Sequence, residues 1–424
     1  MIEDAPALRM SPPGFFADPA LAAVLDALPE ARVVGGAVRD ALLGRAVADV
    51  DLAIPRRPED VIAALRQVGL NAVPTGIAHG TVTALSGERA FEVTSLRRDL
   101  ITDGRHAVVA FIADWRADAA RRDFTLNALS MTRDGAVFDY WGGLPDLHAG
   151  SIRFVGDPAA RIAEDALRIL RFFRFFACYA RLPPDTATRA ALHAGAPGLA
   201  RLAPERVWKE LTGLLAAPDP LPAVALMAQL GILAAVLPKG VAQERLARLI
   251  AAGAPADPLL RLAALVDSDL TALAKRLRLS AAERTRLLAL RGGPTPALEA
   301  DDDVLRRMLT ELDPRLDVTV LQGRLWLADD GDPRWGEVRA RLAALPRPEF
   351  SLAGRDALSL GVPPGPQVGV LLGAVRGWWL AGGCTADRAA SLGRLAEVVA
   401  EQGQRATVPL VLPLVRKPRK DSRG

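Results

Sequence analysis

Two aspartates one residue apart, Asp49-Val50-Asp51, sit in an alternating apolar–polar run, Val47–Ile54. The alternation predicts a strand, in which residues i and i+2 face the same way, about 6.5–7 Å apart. Two carboxylates turned to one space repel each other unless a cation joins them. Mg2+ takes few carboxylates together with phosphate oxygens and water. Two such ions can activate an attacking 3′-hydroxyl and stabilise a leaving pyrophosphate. Just upstream, Val34-Gly35-Gly36-Ala37-Val38-Arg39-Asp40 joins a predicted strand to a predicted helix. The glycines let backbone N–H groups approach an anion closely, with the helix N-terminus directed at it. Arg39, one turn into that helix, is placed to reach a triphosphate. A lone Gly-Gly or a lone DxD is more often a turn or a solvated strand face. Their combination in one strand–turn–helix–strand unit is far more specific.

The elements that must position these residues are legible on either side. Asp18 and Pro19 suit the N-cap and first position of a short helix, Pro19–Leu28, in a lead-in spanning 1–30. Strands are predicted at Ala31–Val34, Val47–Ile54, Gly80–Leu85 and Ala90–Leu96, the last two flanking the turn Ser86-Gly87-Glu88. Helices are predicted from Ala37 to Leu43 and over Pro58–Val68. Strand signals fade near Leu147, and from about Ile162 apolar residues recur at three- and four-residue spacing. That spacing predicts one helix over Arg161–Tyr179, then helices at Pro204–Leu215, Leu259–Leu265, Ala272–Leu277, Ala281–Leu290 and within Gly354–Ala400. In the first of these, Asp165, Arg168, Arg171 and Arg174 form one row beside an apolar row of Leu167, Leu170 and Phe173. Three arginines in a row repel one another unless an anion neutralises them.

The bulk numbers bound the partners. The chain has 424 residues, with 53 basic and 49 acidic residues and a net charge of +4. Such a balance permits a nucleic-acid partner without demanding one. Two distant cysteines, Cys178 and Cys384, make no disulfide framework. The scattered His79, His106, His148 and His193 lack metal-site spacing. No signal-peptide pattern and no membrane-length apolar run is present, so the expectation is a cytoplasmic protein without a membrane partner.

The motif Gly35–Arg45 followed by Asp49–Ala53 resembles the first motif of class II CCA-adding enzymes and bacterial poly(A) polymerases, within the polymerase-β-like nucleotidyltransferases. The resemblance continues in order. His79-Gly80-Thr81-Val82-Thr83 and Phe91-Glu92-Val93-Thr94-Ser95-Leu96-Arg97 are similar to the next strands, the latter bearing a third carboxylate, Glu92. Arg121-Arg122-Asp123-Phe124-Thr125-Leu126-Asn127-Ala128-Leu129 resembles the RRDFTINAL motif, which assigns nucleotide binding to Arg122 and a weaker ribose contact to Asn127. Glu164-Asp165-Ala166-Leu167-Arg168 through Arg174 resembles the segment that replaces a nucleic-acid template. There Asp165 and Arg168 would read the Watson–Crick edge of CTP or ATP, and Arg171 and Arg174 would hold phosphate.

The resemblance implies an α+β fold: a small mixed-sheet nucleotidyltransferase head followed by an all-helical neck, body and tail. The corresponding boundaries are 31–148 for the head, 149–215 for the nucleotide-selecting neck, 216–292 for the body, 293–415 for a tRNA-binding tail and 416–424 for a basic disordered end. The implied activity is template-free addition of CMP, CMP and AMP to a tRNA 3′ end. Asp49, Asp51 and Glu92 would be catalytic, Asp49 and Asp51 the Mg2+ ligands, and Gly36, Arg39, Arg122, Asp165, Arg168, Arg171 and Arg174 the nucleotide site. Poly(A) synthesis and a split CC-only or A-only activity share these motifs. The segment Val73–Gly80 lacks the basic poly(A)-type pattern, and the loop Arg98–His106 favours complete CCA addition. A dead scaffold that binds RNA would have lost a carboxylate, and all three are present. A small-molecule nucleotidyltransferase would not need the long helical half. One departure stands out: Asp139-Tyr140-Trp141-Gly142-Gly143 replaces the usual Asp-Pro-Phe-Gly-Gly.

Overall fold

The computed structural model describes residues 5–102, 107–237, 240–267 and 269–406. The chain divides into two compact units, Met1–Leu287 and Leu288–Gly424.

The first unit opens with strands β1 (Leu8–Arg9), β2 (Arg32–Val34), β3 (Asp51–Ile54), β4 (Asn71–Gly76), β5 (Thr81–Ser86), β6 (Arg89–Ser95), β7 (Arg97–Thr102), β8 (Ala107–Phe111), β9 (Ser130–Met131) and β10 (Ala136–Phe138). Eight of them form a mixed sheet in the order β1-β10-β9-β2-β3-β6-β5-β4, and β7 pairs with β8 alone. Only the β3–β6 pairing in the large sheet is parallel, with Leu52 opposite Val93. Val33, Leu52, Ile54, Val82 and Val93 are wholly buried and carry the core of the sheet. Around it lie α1 (Pro19–Ala27), α2 (Gly36–Leu42), α3 (Pro58–Gln67), α4 (Trp115–Ala120) and α5 (Gly143–Ala149). Asp18 caps α1 by accepting from the Ala20 amide, with Pro19 at its first position, as the sequence suggests.

Helices follow: α6 (Pro158–Glu164), α7 (Leu167–Tyr179), α8 (Thr186–Gly195), α9 (Pro204–Leu215), α10 (Leu221–Gln229), α11 (Ile232–Val236), α12 (Gln243–Ala251), α13 (Pro258–Leu265), α14 (Leu270–Arg276) and α15 (Ala281–Arg291). The α+β class expected from the sequence is therefore observed, a mixed sheet followed by helices. Tyr140 and Trp141 leave α5 intact, because the Asp139 carboxylate still accepts from the amides of Trp141, Gly143 and Leu144. The second unit is helical among its described residues. It packs one core around Leu305, Leu309, Val320, Leu325 and Leu342, and another around Ala357, Leu371, Val375 and Leu395.

Three local expectations are corrected. The strand predicted over Val47–Ile54 begins only at Asp51, because its neighbour β2 ends at Val34, the residue opposite Asp51, where the chain turns into Gly35. Asp49 therefore precedes the strand. The single helix predicted over Arg161–Tyr179 is two helices, α6 and α7, broken at Asp165, whose backbone is extended (φ −154°, ψ 109°). The loop Arg98–His106 is strand as far as Thr102, and residues 103–106 lie outside the described residues, as does the basic end 416–424. Among the described residues no helix is long and apolar enough to cross a membrane.

Candidate functional site

The parallel register of β3 on β6 sets the first half of the site. Leu52 and Val93 pair and point into the core, so Asp51 and Glu92, one residue earlier on each strand, share the opposite, exposed face. Asp49 is exposed just before the strand. Although the residue is exposed, partial desolvation of its carboxyl in the cleft raises Asp51 above its ordinary value of 3.8, the charges of Glu92 and Asp49 raise it further, and Arg122 opposes them. Asp51 thus feels two other carboxylates and one guanidinium. Gly35 makes the turn into α2 at φ 69° and ψ −124°, a conformation closed to residues with a Cβ, and a Cβ there would lie 3.4 Å from Arg122 Nη1.

Arginines from two elements complete the head side. Arg39 is buried and locked from three directions. Its Nε and Nη2 donate to Asp40 at 3.0 and 2.8 Å, and its Nη1 donates to Asn127 Oδ1 at 2.7 Å. Its guanidinium also lies 4.4 Å over the Tyr179 ring. Arg122 follows α4 and pairs with Asp118 at 3.5 Å, and burial pushes its guanidinium below its ordinary value. Asn127 in turn donates to Asp123 Oδ1 at 3.0 Å.

Helices α7 and α9 form the other wall. Arg171 donates from Nε to Asp123 Oδ2 at 2.7 Å. Burial pushes the Asp123 carboxyl up, but Arg171, Asn127 and the Phe124 amide outweigh it and hold it below its usual range. Burial likewise opposes the Arg171 charge, yet Asp123, Glu210 and Asp165 together raise its value. Arg174 Nε lies 3.0 Å from Glu210, and Arg171 Nη1 lies 3.6 Å from the same carboxylate. A continuous polar chain therefore runs from Arg39 through Asn127, Asp123, Arg171 and Glu210 to Arg174, joining sheet to helices.

The break at Asp165 changes the row expected along α7: the Arg168 amide donates to the Asp165 carbonyl at 3.0 Å, but the two side chains take different partners. Asp165 Oδ1 accepts from the Leu167 amide at 3.0 Å, and Oδ2 accepts from Arg206 Nη2 at 2.6 Å. Arg168 instead pairs with Glu164 and donates to the Arg161 carbonyl at 2.8 Å. One cleft of about 530 Å³ is lined by Gly35, Gly36, Arg39, Asp51, Arg122, Asp123, Asn127, Asp165, Leu167, Arg168, Arg171, Arg174, Phe175 and Arg206. It gathers most of the residues singled out from the sequence, while Asp49 and Glu92 act on Asp51 from beyond that lining. Arg206 and Glu210 were not anticipated. They lie one turn apart on α9, about forty residues after their partners, and only their opposite charges at i and i+4 hinted at a shared face.

The donor set suits a hard divalent cation: carboxylate oxygens, with Asp51 already raised by its neighbours and so relieved by a positive charge. Among the described residues no group of three or more His, Cys, Asp or Glu is arranged to hold a metal unaided.

Residues 31–153 match the family described as the poly A polymerase head domain, and residues 181–243 the one described as a probable RNA and SrmB-binding site of polymerase A. On this fold and cleft, that pairing defines the chain as a nucleotidyltransferase. Similarity over most of the chain narrows the class. The Mus musculus protein named CCA tRNA nucleotidyltransferase 1, mitochondrial, is 34% identical over 374 residues, covering 82% of each chain. The CCA-adding enzyme of Geobacillus thermodenitrificans is 34% identical over 378 residues, 82% of this chain and 87% of that one. The crystal structure of the Bacillus stearothermophilus CCA-adding enzyme in complex with CTP superimposes with a TM-score of 0.69 at 28% identity, covering 92% of this chain and all of that one. The chain belongs to the CCA tRNA nucleotidyltransferase family.

Proposed function

We propose that this chain adds CMP, CMP and AMP to the 3′ end of tRNA from CTP and ATP, without a nucleic-acid template. The observation that carries the reading is the cleft in which Asp51 faces the Asp165–Arg174 segment, with Asp49 and Glu92 acting on Asp51 from beyond its lining. In each round the RNA 3′-oxygen attacks the α-phosphorus of the nucleotide. A new phosphodiester forms, the bond to the β-phosphate oxygen breaks, and the proton and pyrophosphate leave. Asp49 and Asp51 would hold Mg2+, with Glu92 as the third catalytic carboxylate beside them, and the ion would supply charge stabilisation to the attacking and leaving oxygens when bound. Gly36, Arg39, Arg122, Arg171 and Arg174 would seat the triphosphate, their guanidiniums pre-oriented by Asp40, Asn127, Asp118, Asp123 and Glu210. Asp165 would accept from the amino group shared by cytosine and adenine, and Arg168 would donate to ring acceptors. Uracil and guanine carry an oxygen where that amino group stands. The reading keeps 149–215 as neck, 216–292 as body and 293–415 as tRNA-gripping tail, with cytoplasmic residence.

The test is incubation of the purified protein with Mg2+, the four labelled nucleotides and tRNA lacking its terminal CCA, followed by 3′-end sequencing. The expected product ends in CCA. Runs of A on unrelated RNA would mark a poly(A) polymerase, and C-only or A-only products a split-function enzyme.

A further inference from the structure

Asp165 occupies an unusual place for a recognition group. It lies in the break between α6 and α7 with an extended backbone, so no helical turn fixes its side chain. Two contacts do so instead: the Leu167 amide on Oδ1 and Arg206 on Oδ2. Arg206 comes from α9, and its side chain, like that of Asp165, is partly open to solvent. The cleft also contains Arg168 and Arg171, and the Asp165 charge already reaches Arg171. A carboxylate released from Arg206 therefore has other guanidiniums within its neighbourhood. Arg206 itself cannot replace the carboxylate, because a guanidinium has no acceptor for an amino group.

Resting on the base-reading role given above to Asp165, we propose that Arg206 is a positioning residue for nucleotide selection. It anchors Asp165 Oδ2 so that the remaining lone pairs meet the amino group of cytosine or adenine, and it keeps the carboxylate from being captured by Arg171 or Arg168. Each carboxylate oxygen accepts more than one hydrogen bond, so the anchoring contacts leave acceptor capacity for the base. A second cleft, of about 800 Å³, lies against the same two side chains, with Glu164, Ala194, Gly198 and Arg201 in its wall.

The experiment measures single-nucleotide addition to tRNA lacking its CCA end, comparing kcat/KM for CTP and UTP. The proteins are wild type, Arg206→Ala, Arg206→Gln, Arg206→Lys, Asp165→Ala and the Asp165→Ala/Arg206→Ala pair. Loss of one charged hydrogen bond predicts that Arg206→Ala lowers the CTP/UTP ratio roughly tenfold or more. Arg206→Lys should restore most of the ratio. In the Asp165→Ala background, removing Arg206 should shift the ratio by no more than about twofold, since the positioned group is gone. A general structural role would lower both substrates equally and leave the ratio intact, and that result overturns the proposal. Should Arg206→Ala fail to fold by thermal melting, Arg206→Gln against Arg206→Lys makes the same comparison, and an unchanged ratio in both again overturns it. If Asp165→Ala keeps the wild-type ratio, the base-reading role itself falls. If Asp165→Ala relaxes the ratio while Arg206→Ala does not, only the positioning role falls.

Discussion

Asp51 carries the most informative electrostatics of any single residue in the cleft. Its raised carboxyl reflects partial desolvation first and then the charges of Glu92 and Asp49. A carboxylate must be ionised to bind a cation, so protons compete with Mg2+ from a higher pH than at an ordinary aspartate. The half-saturating Mg2+ concentration for transfer should rise as pH falls toward that raised value, with proton release on metal addition visible in weakly buffered solution. A half-saturation point flat down to the ordinary value of 3.8 would be inconsistent with Asp51 as ligand. Glu210 tests the opposite wall. It is 3% exposed and faces Arg171 and Arg174. Glu210→Ala leaves two partly exposed guanidiniums without that partner and should cost about 3 kcal/mol, the low end for a buried pair, read by denaturant unfolding, with weaker CTP binding. Residue types alone displayed the carboxylates, the glycine turn and the arginines. They could not display Arg206 and Glu210, whose meaning depends on which helix face packs beside α7, a matter of tertiary packing.

Among the elements, α7 joins sheet and helices through an aromatic cluster. Phe124, Phe154 and Phe172 are fully buried, with Phe124–Phe154 ring centres 4.9 Å apart and Phe154–Phe172 stacked at 5.8 Å. The isolated bridge between Phe124 and Phe154 ties the same region. Phe172→Ala should cost about 3–5 kcal/mol in unfolding free energy. It should also raise the KM for CTP more than a surface substitution of equal helix propensity, because α7 carries Arg171 and Arg174. Helix periodicity made α7 and α9 visible, and period-two alternation made the β5–β6 hairpin visible. The break at Asp165 was not, because Glu164-Asp165-Ala166 contains neither Pro nor Gly, and the interruption coincides with the Asp165 carboxylate accepting from the amide two residues on, a local bond that competes with the helical one. The short strands β1, β9 and β10 also escaped, since two or three residues carry no period.

For the whole molecule, the central claim is that one cleft joins two separable tasks. In the proposed reading, a carboxylate edge on β3 and β6 would perform transfer, and a helix pair would hold and select the nucleotide. The order of motifs along the chain made the sheet-bearing head legible, while the selecting role of Asp165–Arg174 is a proposal. The spacing between the two tasks is set by the sheet register and the aromatic cluster, which no local pattern encodes. The claim is tested most directly with Asp51→Asn, in which the carboxylate repulsion is relieved and the fold should be retained. Equilibrium binding of CTP and primer extension would be measured on the same preparation. The account predicts CTP affinity within about threefold of wild type, below roughly 1 kcal/mol, with no detectable CMP or AMP incorporation. Transfer surviving at near wild-type rate, or CTP binding lost together with transfer, would contradict it.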